Sequence, residues 1–422
     1  MYNVSSLLSS SEQTLIKELL IAFRECRRGK GGTHEVQEYL MSYMSRTVQL
    51  ARRLVSGEYE LSRFISFVSF WPVLREIYGS AFIDRVVDTW ISAKLIPLLD
   101  RQFVTDNYST RKEKGALFGV RRVSEMIRQC SEDYSRDCWI LKDDIKSFFM
   151  SMRKDRTMCL WEAFIRENYR GSDGALLTDT IRRIVWFRPE EHCVRKGSPL
   201  NWLRMPVDKI LGSKGPKRGF PVGKIISQLS ALLYLDAIDQ VVTFVWRLLN
   251  AHYMDDRLMI DRSRERLLEA KRQIDALHLE AGLQTHPRKT YLQHFSKGVH
   301  FCGAMILPGR VYLSNRTVGN CFRRLAAFNE HARTERGYVE THAEAFATVM
   351  NSYFGQLMHY AEWNTTHRLI REIGPEWYRV MHVVGRGGHY RIRVFPRYRE
   401  RNIIASRYRQ RMKGLLSMTL RN

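Results

Sequence analysis

The sequence has no run of 18 consecutive apolar residues and no signal-peptide pattern in its first ten residues. A membrane-spanning helix needs about 20 largely apolar residues, so this pattern argues against a helical membrane anchor. No basic amphipathic stretch adjoins a hydrophobic anchor, which argues against a protein that works on a membrane surface. We therefore expect a cytoplasmic protein without a membrane partner.

Cysteine is sparse, with seven residues and no Cys-x-x-Cys pair. Zinc sites and disulfide frameworks depend on such pairs or on even counts at regular spacing. The pattern predicts reduced, mostly buried thiols and argues against a zinc site or a disulfide-stapled protein.

Acidic residues are outnumbered, because 44 Asp and Glu stand against 68 Lys and Arg. The net charge of +24 and the pI near 9.9 indicate a polyanionic partner, and nucleic acid fits better than a membrane surface. With 44% hydrophobic residues in 422, the chain can bury a sizeable core. We expect roughly two to four structural units.

Two adjacent carboxylates, Asp255 and Asp256, stand in the stretch AHYMDDRLMID at 251–261. The flanking strand-favouring residues predict a hairpin with this pair at its tip, and alternation predicts one shared face for His252, Met254, Leu258 and Ile260. Carboxylates at such a tip suit divalent metal ions, which can activate a 3′-hydroxyl and stabilise a leaving pyrophosphate. The alternative is a solvated Asp-Asp turn, and a third carboxylate would decide between them.

A third carboxylate, Asp144, ends an apolar strand in CWILKDDIKSFFMSM at 138–152, about 110 residues before the hairpin. A strand that ends in Asp can face the same metal ions as the hairpin tip, and this order is that of a polymerase palm. Phe149 follows five residues later. Its ring could exclude a ribose 2′-hydroxyl and so select deoxynucleotides, with core packing as an equal alternative.

Other candidate contacts are basic, aromatic or glycine residues outside these strands. In the segment 106–122, several cations with Tyr108 and Phe118 between them predict a surface that grips phosphates and stacks bases. Lys289 is placed to neutralise a departing pyrophosphate, and Gly223 would let the backbone approach a base. Each is also compatible with an ordinary solvated residue or turn.

Apolar spacing predicts the secondary structure. Phe301, Cys302 and Gly303 indicate a strand followed by a tight turn. The segment 62–79 alternates and predicts strands, with Pro72 at an edge or turn. Helical spacing predicts helices at 11–57 with a break at 27–32, and further helices at 84–99, 225–249, 263–282 and 316–373.

The chain resembles the reverse transcriptases, whose motifs occur here in the same order: DIKSFF (144–149), GFPVGKIISQ (219–228), YMDD (253–256), HPRKT (286–290) and FCG (301–303). Within that group II intron-like superfamily, the stretches YSTRKEKGALFGVRR and MNSYFGQLMHY look most like the bacterial and phage enzymes of diversity-generating retroelements. The sequence departs from that family at GKIISQ, where Gly-Asn-Leu-Thr-Ser-Gln is usual. It departs again at Met254, where Val is usual.

The resemblance implies an α+β right-hand polymerase fold of fingers, palm and thumb. It implies an RNA-directed DNA polymerase with two Mg²⁺ ions, for which Mn²⁺ can substitute, acting on template RNA, cDNA or primer, and dNTPs. Enzymes of this family copy a template-repeat RNA into cDNA with errors at adenines, and the cDNA replaces a variable repeat in a target gene. A small basic accessory protein is their partner.

The resemblance also assigns roles by position. Asp144, Asp255 and, less directly, Asp256 would hold the metal ions, with the carbonyl of Ile145 as a further ligand. Val222 stands where high-fidelity relatives have Gln, and an aliphatic side chain there cannot hydrogen-bond to the nucleotide or template, which is one physical route to misincorporation. The implied nucleotide-binding residues are Arg75, Arg111, Phe149, Val222, Gly223, Gln228 and Lys289. The implied primer or template contacts are Tyr253, Met254, Phe301 and Gly303.

The tail from Arg386 onward carries ten Arg and one Lys against one Glu, which predicts an RNA-binding segment, with a solubilising extension as the alternative. No RNase H, HNH nuclease or integrase pattern is present. That absence argues against a complete retroviral or mobile-intron enzyme. Antiphage-defence or group II intron-like reverse transcriptases and a non-catalytic RNA-binding palm protein stay open as alternatives. The predicted layout is an N-terminal helical extension (1–58), fingers (59–130), a palm (131–309) with part of the fingers returning near 190–222, a helical thumb (310–385) and the basic tail (386–422).

Overall fold

The computed structural model of the chain describes residues 9–30, 32–70 and 73–399. The chain divides into two compact units, and the boundary falls between His294 and Phe295. The sequence predicts a palm that reaches residue 309, so the structure assigns the last part of that range to the second unit. Pro72, predicted at an edge or turn, lies outside the described residues.

The first unit begins with helices that pack together through an aromatic cluster. They are α1 (Ser10–Cys26), α2 (His34–Met41), α3 (Tyr43–Val55) and α4 (Phe82–Gln102). A capping box starts α1, because the Ser9 hydroxyl accepts from the Glu12 N–H and the Glu12 carboxylate accepts from the Ser9 N–H. The rings of Phe23, Tyr39 and Phe82 lie 5.1, 5.3 and 6.0 Å apart, centre to centre. The predicted helices and their break at 27–32 are confirmed.

A three-stranded sheet consists of β1 (Phe64–Ser69), β2 (Arg75–Gly79) and β4 (Cys193–Lys196). β1 pairs antiparallel with β2 and parallel with β4, so the segment near 190–222 returns to the strands predicted in 62–79. The buried carboxylate of Glu76 fastens this return. It accepts hydrogen bonds from the Ser66 hydroxyl (3.1 Å), the Trp202 indole (2.8 Å) and the Leu211 N–H (3.3 Å).

A four-stranded antiparallel sheet carries the candidate site. Its strands are β3 (Trp139–Asp144), β5 (Leu249–Tyr253), β6 (Asp256–Asp261) and β7 (Tyr291–His294), in the order β5-β6-β3-β7. The middle strands β3 and β6 bury residues on both faces, among them Ile140, Leu141, Leu258 and Met259. The predicted strand before Asp144 and the predicted hairpin are confirmed.

The faces of the hairpin differ from the prediction. His252 lies directly opposite Arg257, and Leu258 lies opposite Ala251. Directly opposite residues share a face of the sheet, so His252 lies on the face away from Leu258 and Ile260. The prediction of one shared face is wrong because the connecting loop has two residues, which pairs even-numbered positions of β5 with odd-numbered positions of β6.

The helices that complete the first unit are α5 (Ala116–Cys130), α6 (Phe148–Ser151), α7 (Lys154–Asn168), α8 (Gly174–Trp186), α9 (Leu200–Leu203), α10 (Ile225–Gln240) and α11 (Arg264–Glu280). Helix α10 ends earlier than predicted, because a π-helical turn follows at Val241–Val245 and Leu249 already begins β5. Among the described residues, Ile225–Val245 is long and apolar enough to span a membrane, but most of it is buried in the core. A core helix meets the same criterion.

All seven cysteines are free thiols. Four are buried, namely Cys26, Cys130, Cys138 and Cys321, while Cys159 is exposed. The predicted set of reduced, mostly buried thiols is confirmed.

The second unit packs strands and helices around the stacked rings of Trp377 and Phe346, whose centres are 3.9 Å apart. β8 ends at Phe301, and Cys302 and Gly303, both with positive φ, make the predicted turn into β9. The helices predicted in 316–373 are confirmed. The elements are β8 (Val299–Phe301), β9 (Ala304–Leu307), β10 (Arg310–Leu313), α12 (Asn315–Thr334), α13 (Tyr338–Leu357) and α14 (Trp363–Arg371).

The second unit continues into a two-stranded ribbon, formed by β11 (Met381–Arg386) and β12 (His389–Val394). The side-chain amide of Asn351 holds β12 to α13, since it donates to the Ile392 carbonyl (2.9 Å) and accepts from the Ile392 N–H (2.6 Å). Residues 386–399 of the predicted tail are therefore part of the folded second unit, because alternating apolar residues bury one face of this segment, and RNA binding by the tail stays a prediction. Residues 400–422 of that tail lie outside the described residues.

Candidate active site

Three carboxylates meet where β3 ends and β6 begins. Asp144, the last residue of β3, lies directly opposite Asp256, the first residue of β6. Asp255 occupies the two-residue turn between β5 and β6. Asp144 is only 8% exposed, and Asp255 and Asp256 are half-buried. The structure thus brings together the three side chains that the sequence predicts as metal ligands.

The electrostatics of this cluster favour a bound cation. Burial raises the pKa of Asp255, and the charge of Asp144 raises it further. Burial likewise raises the pKa of Asp256, against the opposing charge of Lys142. Carboxylates that repel one another in a partly buried place ionise more readily beside a cation.

The donor set fits Mg²⁺ together with a substrate. Within the described part of the chain, no group of three or more His, Cys, Asp and Glu side chains is placed so that it could hold a metal ion by itself. Mg²⁺ in nucleotide enzymes commonly takes one or two carboxylates and completes its coordination with water and substrate phosphates. Asp144 and the hairpin pair supply carboxylate oxygens of that kind.

Two lysines partly neutralise the carboxylates. The Nζ atom of Lys289 lies 3.2 Å from each carboxylate oxygen of Asp144. Lys142 Nζ lies 2.9 Å from Asp256 Oδ1 and 3.2 Å from Oδ2, and only the contact with Oδ2 has hydrogen-bond geometry. Sequence reasoning missed Lys142. Strand alternation could have found it, because residue 142 shares a face with Asp144 two positions later.

The hairpin turn is held on both sides of Met254, whose φ of 58° is left-handed and unfavourable for a non-glycine residue. The Met254 N–H donates to Ser109 Oγ (2.7 Å), and its carbonyl oxygen lies 2.5 Å from His252 Nε2. Ser109 follows a stretch that runs beside β5. There the His252 N–H donates to the Asp106 carbonyl and the Tyr108 N–H donates to the His252 carbonyl, both at 2.9 Å.

The predicted base-stacking surface at 106–122 is wrong for Tyr108. Its ring is fully buried, and its hydroxyl donates to Asp106 at 3.0 Å. The ring packs edge-on against the partly exposed Phe118, with the centres 5.6 Å apart. The backbone of this segment pairs with β5 and so supports the hairpin. The same pairing leaves the ring of Tyr108 covered.

Arg111 is also misassigned as a nucleotide contact. Its side chain is 7% exposed and pairs with the Asp100 carboxylate. The guanidinium donates in addition to the carbonyls of Val104 (2.7 Å), Asn107 (3.0 Å) and Asp100 (3.0 Å). These acceptors use its donors, so Arg111 fastens this segment to the end of α4.

Two predicted nucleotide-binding residues have the exposure that contact requires. Arg75 is the exposed first residue of β2. Burial raises the pKa of Asp255 most, and the charges of Arg75 and Lys289 lower it, so Arg75 belongs to the electrostatic surroundings of the site. Phe149 is half-buried and packs edge-on against Phe148, with ring centres 5.7 Å apart.

The glycine at 223 serves the backbone of β2. Gly223 has φ 113°, and a Cβ there would lie 3.0 Å from the Tyr78 carbonyl oxygen. Val222 is half-buried, and its carbonyl accepts from the Tyr78 N–H at 3.0 Å. The conformation of Gly223 thus allows the close approach of β2, and because Gly223 is itself exposed, its approach to a base stays a prediction. Gln228 is half-buried and accepts from the Thr110 hydroxyl at 3.1 Å.

Ile145 forms an isolated bridge with Thr285, and the hydrogen bonds of this bridge are made on either side of it. The Asp144 carbonyl accepts from the His286 N–H (2.7 Å), and the Lys146 N–H donates to the Gln284 carbonyl (2.8 Å). The Ile145 carbonyl takes no part in those two bonds, which suits its predicted role.

The predicted primer or template contacts fall in both units. Tyr253 is half-buried at the end of β5 in the first unit. Phe301 and Gly303 belong to the second unit. Phe301 is 1% exposed, so its side chain packs in that unit and the prediction of a nucleic-acid contact is wrong for it, whereas Gly303 is exposed.

A buried charged cluster behind the hairpin escaped sequence reasoning. Asp239 Oδ1 accepts from Arg257 Nη2 (3.0 Å), and Asp239 Oδ2 lies 2.6 Å from His252 Nδ1. Arg257 Nη1 also lies 3.6 Å from Asp143 Oδ2, which His278 Nε2 approaches to 3.5 Å. Burial raises the pKa of Asp143 to about 6 and lowers the pKa of His278 to about 3. The sequence signal that could have revealed this cluster is the presence of charged residues at otherwise apolar positions of α10 and of the strands.

Comparison with known protein families places the chain in a class, that of the nucleic-acid polymerases. The family model described as reverse transcriptase (RNA-dependent DNA polymerase) matches residues 80–306, which is more than half of the chain. The chain belongs to the reverse transcriptase family. This membership supports a right-hand polymerase fold built of helices and sheets.

A search of the curated proteins finds no match. Among solved structures, the chain is similar to telomerase from Candida albicans in complex with a TWJ fragment of telomeric RNA, with a TM-score of 0.41 and 11% sequence identity. The similarity covers 78% of this chain and 60% of the telomerase chain.

Proposed function

We propose that the protein is an RNA-directed DNA polymerase that extends a primer or cDNA end with dNTPs on a template RNA. The observation that carries the proposal is the meeting of Asp144, Asp255 and Asp256 at one end of a buried sheet, in a chain of the reverse transcriptase family. Nucleotidyl transfer requires carboxylate oxygens at such a place.

Asp144 and Asp255 would hold two Mg²⁺ ions, or Mn²⁺ in their place, with Asp256 less directly involved and the carbonyl of Ile145 as a further ligand. When bound, the metal supplies acidity to the primer 3′-hydroxyl and charge neutralisation to the leaving pyrophosphate. The protein orients the ligand oxygens on two paired strands. The carboxylates therefore face one another before the substrate binds, which keeps the cost of reorganisation low.

The cations and the ring around the carboxylates would bind the incoming nucleotide. Arg75 is exposed at the start of β2 and would pair with the triphosphate. Lys289 is 57% exposed while it contacts Asp144, so its ammonium can also reach a phosphate oxygen. Phe149 offers a half-buried ring as the gate against a ribose 2′-hydroxyl.

We further propose the diversity-generating subtype, in which the enzyme copies a template-repeat RNA in a bacterial or phage-infected cytoplasm with a small basic accessory protein. The motif resemblance and the aliphatic side chain of Val222 support this subtype. The side chain of Val222 packs beside Phe64, Tyr78 and Met150 and has no group that can form a hydrogen bond. In the corresponding layout, 59–130 would be fingers, the sheet of β3, β5, β6 and β7 the palm, and α12 to α14 the thumb.

Sequencing of cDNA made from a defined RNA tests this subtype, with the accessory protein added where one is encoded nearby. We expect wild-type errors to concentrate at template adenines. Val222→Gln should lower the frequency of errors at template adenines by roughly five- to a hundredfold, because the glutamine amide can form a discriminating hydrogen bond. Val194→Gln, an exposed valine of β4, is the matched control.

The outcomes separate the alternatives. Errors spread evenly over the four template bases would indicate a generic or antiphage-defence reverse transcriptase. Absence of cDNA from every preparation, with RNA still bound, would indicate a non-catalytic RNA-binding protein.

A further inference from the structure

The ring of His252 touches two hydrogen-bond acceptors. The side chain is 1% exposed, its Nδ1 lies 2.6 Å from Asp239 Oδ2, and its Nε2 lies 2.5 Å from the Met254 carbonyl oxygen. A carbonyl oxygen can only accept. The Asp239 carboxylate accepts from Arg257 and from two asparagine amides, so it also serves as an acceptor for the ring.

Each ring nitrogen of His252 thus has one acceptor at short distance. The longer contact of Nδ1 with Asn107 Nδ2, at 3.4 Å, competes poorly with the 2.6 Å contact to Asp239. The ring is therefore held between Asp239 on one side and the Met254 carbonyl on the other.

The Asp239 carboxylate is itself fixed from several directions. Besides His252, it accepts from Arg257 Nη2 (3.0 Å), Asn107 Nδ2 (3.1 Å) and Asn250 Nδ2 (3.3 Å). These donors come from β6, from the segment beside β5, and from β5 itself. A carboxylate held by this many groups gives His252 a fixed anchor.

The far side of the ring acts on a strained turn. In the loop between β5 and β6, φ is positive at Met254 and not at Asp255, the sign pattern of a type II′ turn. Such a turn favours glycine at its first central position. Methionine stands there instead, and the contacts of its N–H with Ser109 and of its carbonyl with His252 hold that conformation.

We propose that His252, anchored by Asp239, is a positioning residue that fixes the Met254 carbonyl and so sets the direction in which the turn presents Asp255. The proposal rests on the proposed polymerase function. His252 acts through the turn, because its ring nitrogens are occupied by Asp239 and Met254. The rate of the chemical step should depend on it more than the binding of primer and template does.

The test compares the variants His252→Gln, His252→Arg and His278→Gln in full-length protein. His252→Gln loses the two-sided contact and should lower kcat for dNTP incorporation about ten- to a hundredfold, because a hydrogen bond to a charged group is lost. It should also raise the Mg²⁺ concentration that gives half-maximal rate. The affinity for primer-template should change by less than about twofold.

The other variants separate positioning from general damage. The guanidinium of His252→Arg can donate to both acceptors and should restore part of kcat. His278 is equally buried but contacts Asp143 and Thr285 and leaves the turn alone. His278→Gln should change the unfolding temperature and leave kcat within about twofold.

Nitrogen-15 spectra of histidine-labelled protein give a readout that does not depend on activity. Both ring nitrogens of His252 should be hydrogen-bonded in these spectra, whereas His278 should show no bond to the turn. A His252 ring with no hydrogen bond to Met254, or an unchanged kcat in a folded His252→Gln variant, would overturn the proposal. A wild-type protein that incorporates no dNTP would reject the proposed function instead.

Discussion

The ammonium of Lys289 lies 3.2 Å from both carboxylate oxygens of Asp144, a symmetrical contact between the end of β3 and the segment that precedes β7. The lysine side chain is 57% exposed and the Asp144 side chain 12%, so the cation approaches from the solvent side. In this place it compensates Asp144 and also remains within reach of a phosphate. Its removal should therefore affect both the carboxylate cluster and the nucleotide.

Lys289→Met should lower the rate of dNTP incorporation about ten- to a hundredfold, because a hydrogen bond between charged groups is lost. The KM for dNTP should rise as well. Steady-state primer extension at varied dNTP concentration measures both. Lys271→Met, which removes a lysine paired with Asp275 on α11, is the control, and equal effects of the two variants would contradict the role of Lys289.

Phe149→Ala should admit ribonucleotides. If the half-buried ring is the proposed sugar gate, its removal should lower the preference for dNTP over rNTP by roughly 10- to 200-fold, since shape is what the ring contributes. Single-nucleotide extension with dNTP and rNTP in parallel measures this ratio. Phe148→Leu, in the buried neighbour, should cost stability and leave the ratio unchanged. A ratio that stays the same in Phe149→Ala would make that ring a packing residue.

The ribbon carries an exposed basic face that should contact RNA. Its outward positions, which contain no acidic residue, are His382, Val384, Arg386, His389, Arg391 and Arg393. If Arg391 and Arg393 each contact a phosphate, the double change to Gln should reduce the slope of log affinity against log salt by about 0.7 to 0.9 per contact. Filter binding of RNA at several salt concentrations measures the slope.

Arg368→Gln is the control for the ribbon, because Arg368 is already engaged by Glu372 at 2.8 Å and by the ring of Phe322. Equal slopes for wild type and the ribbon variant would show that this face is only solvated.

The local sequence pattern was enough to predict those elements whose neighbours in space are also their neighbours in the chain. The strand before Asp144, the hairpin around Asp255 and the break at 27–32 are of this kind, because apolar alternation and turn residues determine them. The order of motifs then identified which carboxylates meet. The meeting itself depends on the pairing of β3 with β6, more than 100 residues apart.

The sequence-based predictions fail where a residue that is distant in the chain determines the position of a side chain. Arg111 and Tyr108 look like free nucleic-acid contacts in a basic segment, but Asp100, Asp106 and the backbone of β5 hold them. The predicted face of His252 is wrong, because alternation alone does not show how many residues the turn between β5 and β6 contains. The start of the predicted tail is a strand, because its apolar residues alternate. Its basic composition alone does not show that alternation.

Asp143 should make stability fall as pH rises. Burial raises its folded pKa to about 6, above the unfolded value of about 3.9, so the folded state binds more protons between these values. The stabilisation that protonated Asp143 contributes is fully present below about pH 4, and it is lost as the pH rises through about 6. Asp143→Asn should therefore be more stable than wild type at pH 7.5, by on the order of 3 kcal/mol, and lose that advantage at pH 4. Urea unfolding at both pH values measures the difference, and a variant less stable than wild type at pH 7.5 would contradict the account.

The central claim is tested most directly by Mg²⁺-dependent primer extension on an RNA template with wild type, Asp144→Asn, Asp255→Asn and Asp261→Asn. Asp261 ends the same strand β6 that Asp256 begins, and it pairs with Arg266, so it controls for the substitution itself. Wild type and Asp261→Asn should extend the primer. Asp144→Asn and Asp255→Asn should lose about a thousandfold in rate, with unfolding temperature and RNA affinity preserved. Undiminished extension by either Asp144→Asn or Asp255→Asn would contradict the assignment of this cluster as the polymerase site.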